Sequence, residues 1–251
     1  MQLDKQVVIV TGAGRGIGRA IAERCVEEGA KVALVSRTGS QLEETAAGIR
    51  QARGIALPVP TDVTNLTEVV SMVDKVEGEL GPVDAIINNA GSCFGVGPAW
   101  EVDPETWWQD VRVNVLGVHL CCRAVIPGMI ERGKGRLINM IGGGTAGPIT
   151  HIAGYGTSKA AVMRYTECLA AELKDYGIPV FAMGPGLVRT SMTEHQLESE
   201  AGKKWMPRIK EMFEQGRNVP PTLAANLAVE LASGRFDALS GRAFNAGEDL
   251  D

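Results

Sequence analysis

A tyrosine and a lysine in this sequence have the spacing that proton transfer requires. Tyr155 and Lys159 are four residues apart in a stretch of helical period, which places them one turn apart on one helix face. A free phenol has a pKa of about 10 and is a poor base at neutral pH. A neighbouring ammonium group stabilises the phenolate and lowers that pKa. The pair therefore indicates acid–base chemistry on an alcohol or carbonyl, although such pairs also occur in purely structural helices.

A glycine-rich turn near the start of the chain indicates a phosphate-binding site. Thr11–Gly18 follows the apolar run Val7–Val10 and precedes a helical stretch. Glycines at a strand-to-helix junction let the backbone approach a pyrophosphate, which the helix N-terminus attracts. A turn without a ligand is the alternative, and the position of this one in the first strand–helix unit favours a dinucleotide site.

The residues after the second apolar run bear on which dinucleotide is bound. An acidic residue here would bind the ribose 2′-hydroxyl of NAD, but the chain has Ser36 and Arg37. Arginine offers a planar fork of donors to phosphate, and Arg15 lies in the nearby glycine turn. If these arginines are not merely solvated surface residues, they favour NADP(H) over NAD(H).

The elements that must position these residues alternate between strands and helices. Strands are predicted at 7–10, 31–35, 55–59, 83–87, 136–141, 178–183 and 242–245, and helices at 17–28, 41–53, 66–80, 105–131, 154–176 and 221–232. Apolar strands joined by helices predict a doubly wound parallel α/β sheet of Rossmann type, as one domain over 1–251. Ligands of such sheets bind beyond the carboxyl ends of the strands.

A charged insert at about 191–217 follows one of those carboxyl ends. Its positions 205, 209, 212 and 213 would form one apolar helical face. The insert is either a helix that packs on the domain or a lid over a substrate of hydrophobic character. Cys93, Phe94 and Trp100 follow another strand end and are candidates for the same pocket, whereas His151 is expected on a surface loop.

Five motifs in order resemble the short-chain dehydrogenase/reductase family over nearly the whole chain. TGAGRGIG at 11–18 is similar to the TGxxxGxG turn of that family, and Asp62-Val63 to its adenine-contacting pair. Asn88–Gly91 matches NNAG, Tyr155 and Lys159 match YxxxK, and Pro185, Gly186 and Thr190 match PGxxxT.

The resemblance implies a role for each matching residue. Tyr155 would be the acid/base, Lys159 would lower its pKa and hold the nicotinamide ribose, and Asn114 would hold a water in a proton relay. The residues expected to bind the cofactor are Gly12, Arg15, Gly16, Ile17, Gly18, Ser36, Arg37, Asp62, Val63, Asn89, Ala90, Gly91, Lys159, Pro185, Gly186, Val188 and Thr190. The activity implied is hydride transfer between NADP(H) and a small carbonyl or secondary alcohol.

One position departs from the family pattern. Family members carry a serine thirteen residues before the tyrosine, where this chain has Gly142. The hydroxyl of Thr145 would replace it, or backbone N–H groups of the glycine run would, or the chain binds NADP(H) as a sensor or scaffold with weak or no turnover. Loss of one such donor typically costs ~10²–10³ in rate, which weakens an enzyme without abolishing its activity. With Asn114, Tyr155 and Lys159 present, a working enzyme is therefore favoured. Gly142, Thr145 and Phe94 are the expected substrate-contacting residues.

Composition excludes several other classes. The net charge of -5 and pI near 5.4 argue against nucleic-acid binding, and no signal peptide or membrane-spanning run is recognised. The five cysteines show no metal-ligand spacing, so no metal is expected, and reduced, mostly buried thiols in a cytoplasmic protein are expected instead. The family resemblance adds a homo-oligomer, a tetramer or a dimer, paired through the two long helices.

Overall fold

The computed structural model describes residues 1–248, which are organised around one parallel sheet. Its seven strands have the order β3-β2-β1-β4-β5-β6-β7 and run parallel throughout. The strands are β1 Val7–Thr11, β2 Lys31–Ser36, β3 Ile55–Pro60, β4 Ala85–Asn88, β5 Arg136–Met140, β6 Val180–Gly184 and β7 Ala243–Asn245. This confirms the doubly wound α/β fold, with strand order reversing between β1 and β4.

Helices cover both faces of the sheet, and the strand side chains alternate between the two cores. Val8 and Val10 pack with helices α1 Gly16–Glu27, α2 Gly39–Gln51 and α10 Pro221–Ser233. Val7 and Ile9 point the other way, into the core formed with α3 Leu66–Glu79, α5 Gly117–Arg132 and α6 Ala153–Glu172. Both faces of the sheet are therefore buried, which is why the strands are apolar along their whole length.

The helix predicted at 105–131 is interrupted. It consists of α4 Pro104–Val111, a π-helical turn at 112–116 and α5. A π-turn inserts an extra residue and re-aims the side chains that follow, and such turns are frequent at functional sites. The span Pro104–Arg132 is long and apolar enough to cross a membrane by length and composition, but core helices pass the same test and its buried side packs into the core shared with α3 and α6.

The insert forms three short helices instead of one. These are α7 Ser191–Glu198, α8 Glu200–Trp205 and α9 Pro207–Glu214. The predicted apolar face is wrong as stated, because Trp205 ends α8 while the other three positions belong to α9. Pro207, which starts α9, has no backbone N–H to continue the hydrogen bonds of α8, so the helix is interrupted at Met206.

Candidate active site

The glycine turn and the Asn89 segment pack directly against each other at the carboxyl edge of the sheet. The Asn89 amide donates to the Thr11 carbonyl at 2.8 Å, and the Ala90 N–H donates to Thr11 Oγ1 at 3.0 Å. A Cβ on Gly18 would overlap the Gly12 carbonyl and lie 2.5 Å from Asn89 Nδ2. Gly12 also has φ of 68°, which favours glycine. The spacing of these glycines therefore reflects close backbone contact.

Several of the residues expected to bind the cofactor lie together at this edge. A Cβ on Gly16 would lie 3.4 Å from Thr190 Cγ2, so the first and last motifs of the chain meet there. Ile17 is partly buried on α1, and Pro185, Gly186 and Val188 lie in the segment between β6 and Thr190. Asp62 uses one carboxylate oxygen to bind Thr64, and the neighbouring Val63 is buried.

Near the start of α1 and the end of β2 lie several donors that have no side-chain partner among residues 1–248. Helix α1 begins after Arg15 with no side chain capping its first N–H groups, which suits an anion. Ser36 Oγ is buried with no hydrogen-bond partner among the described residues, and the Gly14 backbone lies against it. Arg15 and Arg37 are both exposed, and no ion pair involves either within residues 1–248. These features fit a dinucleotide with a phosphate near the end of β2.

Tyr155 and Lys159 lie together on the first turns of α6. Lys159 is buried, its Nζ donates to the Met140 carbonyl at 2.9 Å, and it lies 5.6 Å from the centroid of the Tyr155 ring. Burial disfavours the ammonium and lowers the pKa of Lys159 to about 8, an effect that nearby Cys93 opposes. The Lys159 ammonium is therefore easier to deprotonate than that of a solvated lysine.

The expected lowering of the Tyr155 pKa is not found in this structure. Burial raises the pKa of the phenol, and electrostatic interactions with Cys93 and Asp110 raise it further. The Lys159 ammonium is engaged by the Met140 carbonyl, and it does not overcome these effects. Tyr155 is consequently a phenol at neutral pH, the form that donates a proton.

Asn114 lies on the π-turn, and both the nitrogen and the oxygen of its side chain have hydrogen-bond partners. Its amide donates to the Ser92 carbonyl at 2.9 Å and to Ser158 Oγ at 2.8 Å, and its oxygen accepts from the Ser92 N–H at 2.8 Å. Ser158 in turn donates to the Tyr155 carbonyl at 2.6 Å. The side chain thus ties the loop after β4, called the β4 loop, to helix α6, which carries Tyr155.

Gly142 lies against the reacting hydroxyl. A Cβ at this position would overlap the Tyr155 hydroxyl, so the tyrosine fills the space that a side chain would need. The Thr145 hydroxyl donates a hydrogen bond to the Gly142 carbonyl at 2.7 Å, and the Gly142 N–H donates to Thr145 Oγ1 at 3.4 Å. The left-handed backbone lies at Gly144, with φ of 93°, rather than at Gly142.

The insert covers the tyrosine with apolar side chains. Tyr155 packs in a small cluster whose members come from the β4 loop, the segment before α6 and the insert: Cys93, Val96, Ile149, Ile152, Met192, Met206 and Ile209. The buried amide of Gln196 on α7 contacts the Cys93 sulfur at 3.0 Å. We refer to residues 191–214 as the lid.

Two of the candidates for the pocket, Phe94 and Trp100, and the nearby His151 are placed differently from one another. Phe94 is 47% exposed at its rim, where its ring faces His195 of the lid at 6.4 Å. Trp100 is 85% exposed, so its assignment to the pocket is wrong. His151 is partly buried and stacks on Trp205 with ring centroids 5.0 Å apart, which makes it a support for the lid.

Four residues of this site were missed from the sequence. Ser92, Asp110 and Ser158 are buried and hydrogen-bonded around Asn114, and Gln196 connects the lid to Cys93. Asp110, Asn114 and Val118 recur at a spacing of four on the buried stripe of one helix. A carboxylate on such a stripe is rare enough to have been a signal. Ser92, Ser158 and Gln196 had no such signal.

Comparison with known proteins assigns the family. A family model described as short chain dehydrogenase matches residues 6–201. A 2-(S)-hydroxypropyl-CoM dehydrogenase of Xanthobacter autotrophicus is 32% identical over 97% of this chain and 95% of its own length. A putative ketoacyl reductase of Streptomyces coelicolor is 34% identical over 96% of this chain and 95% of its own.

Solved structures agree with this assignment. An actinorhodin polyketide ketoreductase variant with NADPH superposes with a TM-score of 0.87 at 33% identity, covering 98% of this chain and 96% of the other. An NAD+-bound xylitol dehydrogenase gives 0.89 at 26% identity, covering 98% of both chains. The chain belongs to the short-chain dehydrogenase/reductase family and is an NAD(P)-dependent oxidoreductase that acts on a small molecule.

Proposed function

We propose that this protein interconverts a carbonyl compound and a secondary alcohol with NADP(H), using Tyr155 as the acid/base. A nicotinamide bound at the carboxyl edge of the sheet supplies or accepts the hydride. In reduction the Tyr155 phenol gives its proton to the carbonyl oxygen, and in oxidation the phenolate takes that proton back. The observation that carries the proposal is the contact of Tyr155 with Lys159 and Gly142 at the carboxyl edge, under an apolar lid.

The preference for NADP(H) is supported by charge at the end of β2. Among residues 1–248, the buried Ser36 hydroxyl has no hydrogen-bond partner, and the exposed guanidinium groups of Arg15 and Arg37 have no carboxylate partner. A 2′-phosphate satisfies these donors better than a ribose hydroxyl does, because charge-assisted hydrogen bonds are roughly twice as strong as neutral ones.

We further propose that the Thr145 hydroxyl supplies the hydrogen bond that a serine at 142 would make. Its oxygen lies 2.7 Å from the carbonyl of Gly142, the residue whose Cβ position overlaps the Tyr155 hydroxyl. Thr145→Val keeps the shape of the side chain and removes the donor, so kcat is expected to fall ~10- to 100-fold. Thr145→Ser should retain most of the activity, and equal activity of the valine variant and the wild type would exclude this role.

The assembly proposed is a homo-oligomer, a tetramer or a dimer. It remains the expectation that the family resemblance gives. Static light scattering of the purified protein at micromolar concentration measures it, and a monomer would contradict it.

The activity itself is tested with a panel of ketones and secondary alcohols, followed by absorbance of the nicotinamide. The panel should contrast aliphatic and aromatic ketones with charged ones, because apolar side chains of the insert and of the loop after β4 pack around Tyr155. We expect turnover of apolar ketones with NADPH and weaker turnover with NADH. Tight NADPH binding without any turnover would favour the sensor or scaffold function that Gly142 suggests.

A further inference from the structure

Asp110 is a fully buried carboxylate one helical turn before Asn114, and the roles proposed above do not use it. Both of its oxygens accept hydrogen bonds from a single loop. Ser92 Oγ donates at 2.8 Å, the Phe94 N–H lies 3.0 Å from each oxygen, and the Gly95 N–H donates at 2.9 Å. Every partner is a donor, as an ionised carboxylate requires. Burying such a charge is costly unless it is compensated, and here the compensation comes from this loop.

The loop of residues 92–95, which hydrogen-bonds to Asp110, forms one wall of the site around Tyr155. Cys93 lies in its middle and packs in the apolar cluster with Tyr155. Phe94 faces the lid through His195, and Cys93 contacts Gln196 of the lid. The position of residues 92–95 therefore determines how the pocket and the lid meet the reacting phenol.

Helix α4, which carries Asp110, packs directly against α6, which carries Tyr155, so the carboxylate also acts on the phenol. The charged or titratable groups around the phenol are Lys159 on its own helix, the Cys93 thiol on the β4 loop and the Asp110 carboxylate on α4. After burial, Cys93 and Asp110 are the groups that raise the pKa of Tyr155. A fixed negative charge disfavours the phenolate and favours the protonated form.

We propose that Asp110 is a positioning residue of the active site, whose buried carboxylate fixes the 92–95 loop against Tyr155 and holds the phenol as a proton donor. The electrostatic part rests on the proposed acid–base role of Tyr155. The positional part does not, so the two can be tested separately.

The variant Asp110→Asn removes the charge and keeps the shape of the side chain. Its matched control is Asp103→Asn, which changes an exposed carboxylate at the start of the same helix, bonded to Thr106. Asparagine also caps helices well, so the control should leave α4 intact.

The first readout is alkylation by iodoacetamide, mapped to individual cysteines by mass spectrometry. Cys93 is buried beside the loop, and Cys122 is buried in the core behind the sheet. If Asp110 fixes the loop, Asp110→Asn should raise the Cys93 rate at least ~10-fold, with Cys122 unchanged and Asp103→Asn without effect. An unchanged Cys93 rate, or a parallel rise at Cys122, would overturn the positional role.

The second readout is the pH profile of kcat/KM for alcohol oxidation, which needs the phenolate. Removal of the Asp110 charge should shift its rise to lower pH, and Asp103→Asn should not move it. If Asp110→Asn lowers the melting temperature but leaves the pH profile unchanged, Asp110 has only a structural role, and the proposed effect of its charge on Tyr155 is overturned. If the wild type transfers no hydride in either direction, the proposed function and the electrostatic part fail together, and the Cys93 rate still decides the positional part.

Discussion

The two sides of the carboxyl edge are built on different principles. On the nucleotide side, at the ends of β1 and β2, the site is shaped by backbone: Gly18 and Gly12 are where they are because a Cβ would overlap neighbouring atoms. On the reacting side, Tyr155 is surrounded by side chains from three distant segments, and its hydroxyl lies against the backbone of Gly142, which departs from the family pattern. A site shaped by the backbone can be predicted from glycine spacing, whereas a site shaped by distant side chains can be described only from the folded structure. Variants on the two sides should accordingly fail in different ways.

The largest effect is expected at Gly142. In Gly142→Ser the new Cβ would overlap the Tyr155 hydroxyl, so the phenol must move from its place. A displacement of this kind costs about 10²-fold in kcat, while NADPH affinity should stay unchanged. Steady-state kinetics and NADPH titration by fluorescence separate the two quantities.

The control for this change is Gly147→Ser in the same loop. Nothing lies within 4 Å of a Cβ at Gly147, so its kcat should equal that of the wild type. A higher kcat in Gly142→Ser would show that the loop lacks only a hydroxyl and that the steric argument is wrong.

The next effect concerns the phosphate side. Arg37→Asp should weaken NADPH binding by one to two decades and spare or improve NADH, since each charge-assisted contact is worth roughly 1.5–3 kcal/mol. Arg53→Asp makes the same charge change at an exposed position just before β3, at the opposite end of the sheet, and should alter neither affinity. Equal wild-type affinity for both dinucleotides would remove the NADP(H) preference.

A smaller effect tests the backbone packing. Gly18→Ala places a methyl group on the Gly12 carbonyl and Asn89, and should lower the free energy of unfolding by about 1–3 kcal/mol, besides weakening NADPH binding. Gly78→Ala, on the open side of α3, should instead raise it by roughly 0.5–1 kcal/mol. Urea unfolding of the two variants measures both. A neutral Gly18→Ala would mean that the turn adapts easily.

Most of the architecture could be predicted because strand runs such as Val7–Val10 and the motif order leave few alternatives. The strands were correct to within two residues at each end. Errors arose where several segments interact. The break in the helix at 112–116 and the division of the lid at Met206 depend on what those residues pack against, which periodicity does not contain.

The electrostatics of the site could not be predicted from spacing. A Tyr–Lys pair suggested a lowered phenol pKa, but the tertiary structure buries Tyr155 and brings Asp110 near it. Asp110 is 45 residues away from Tyr155 in the chain, so no local pattern joins them. The pairing of Cys93 with Gln196 spans an even longer separation.

The most direct test of the central claim is the comparison of Tyr155→Phe with the wild type on an apolar ketone that the wild type reduces. The substitution keeps the ring and removes the only group of the proposed mechanism that donates a proton. We predict a fall in kcat of at least ~10² with NADPH affinity within about twofold of the wild type. Full activity in Tyr155→Phe would contradict the proposed mechanism.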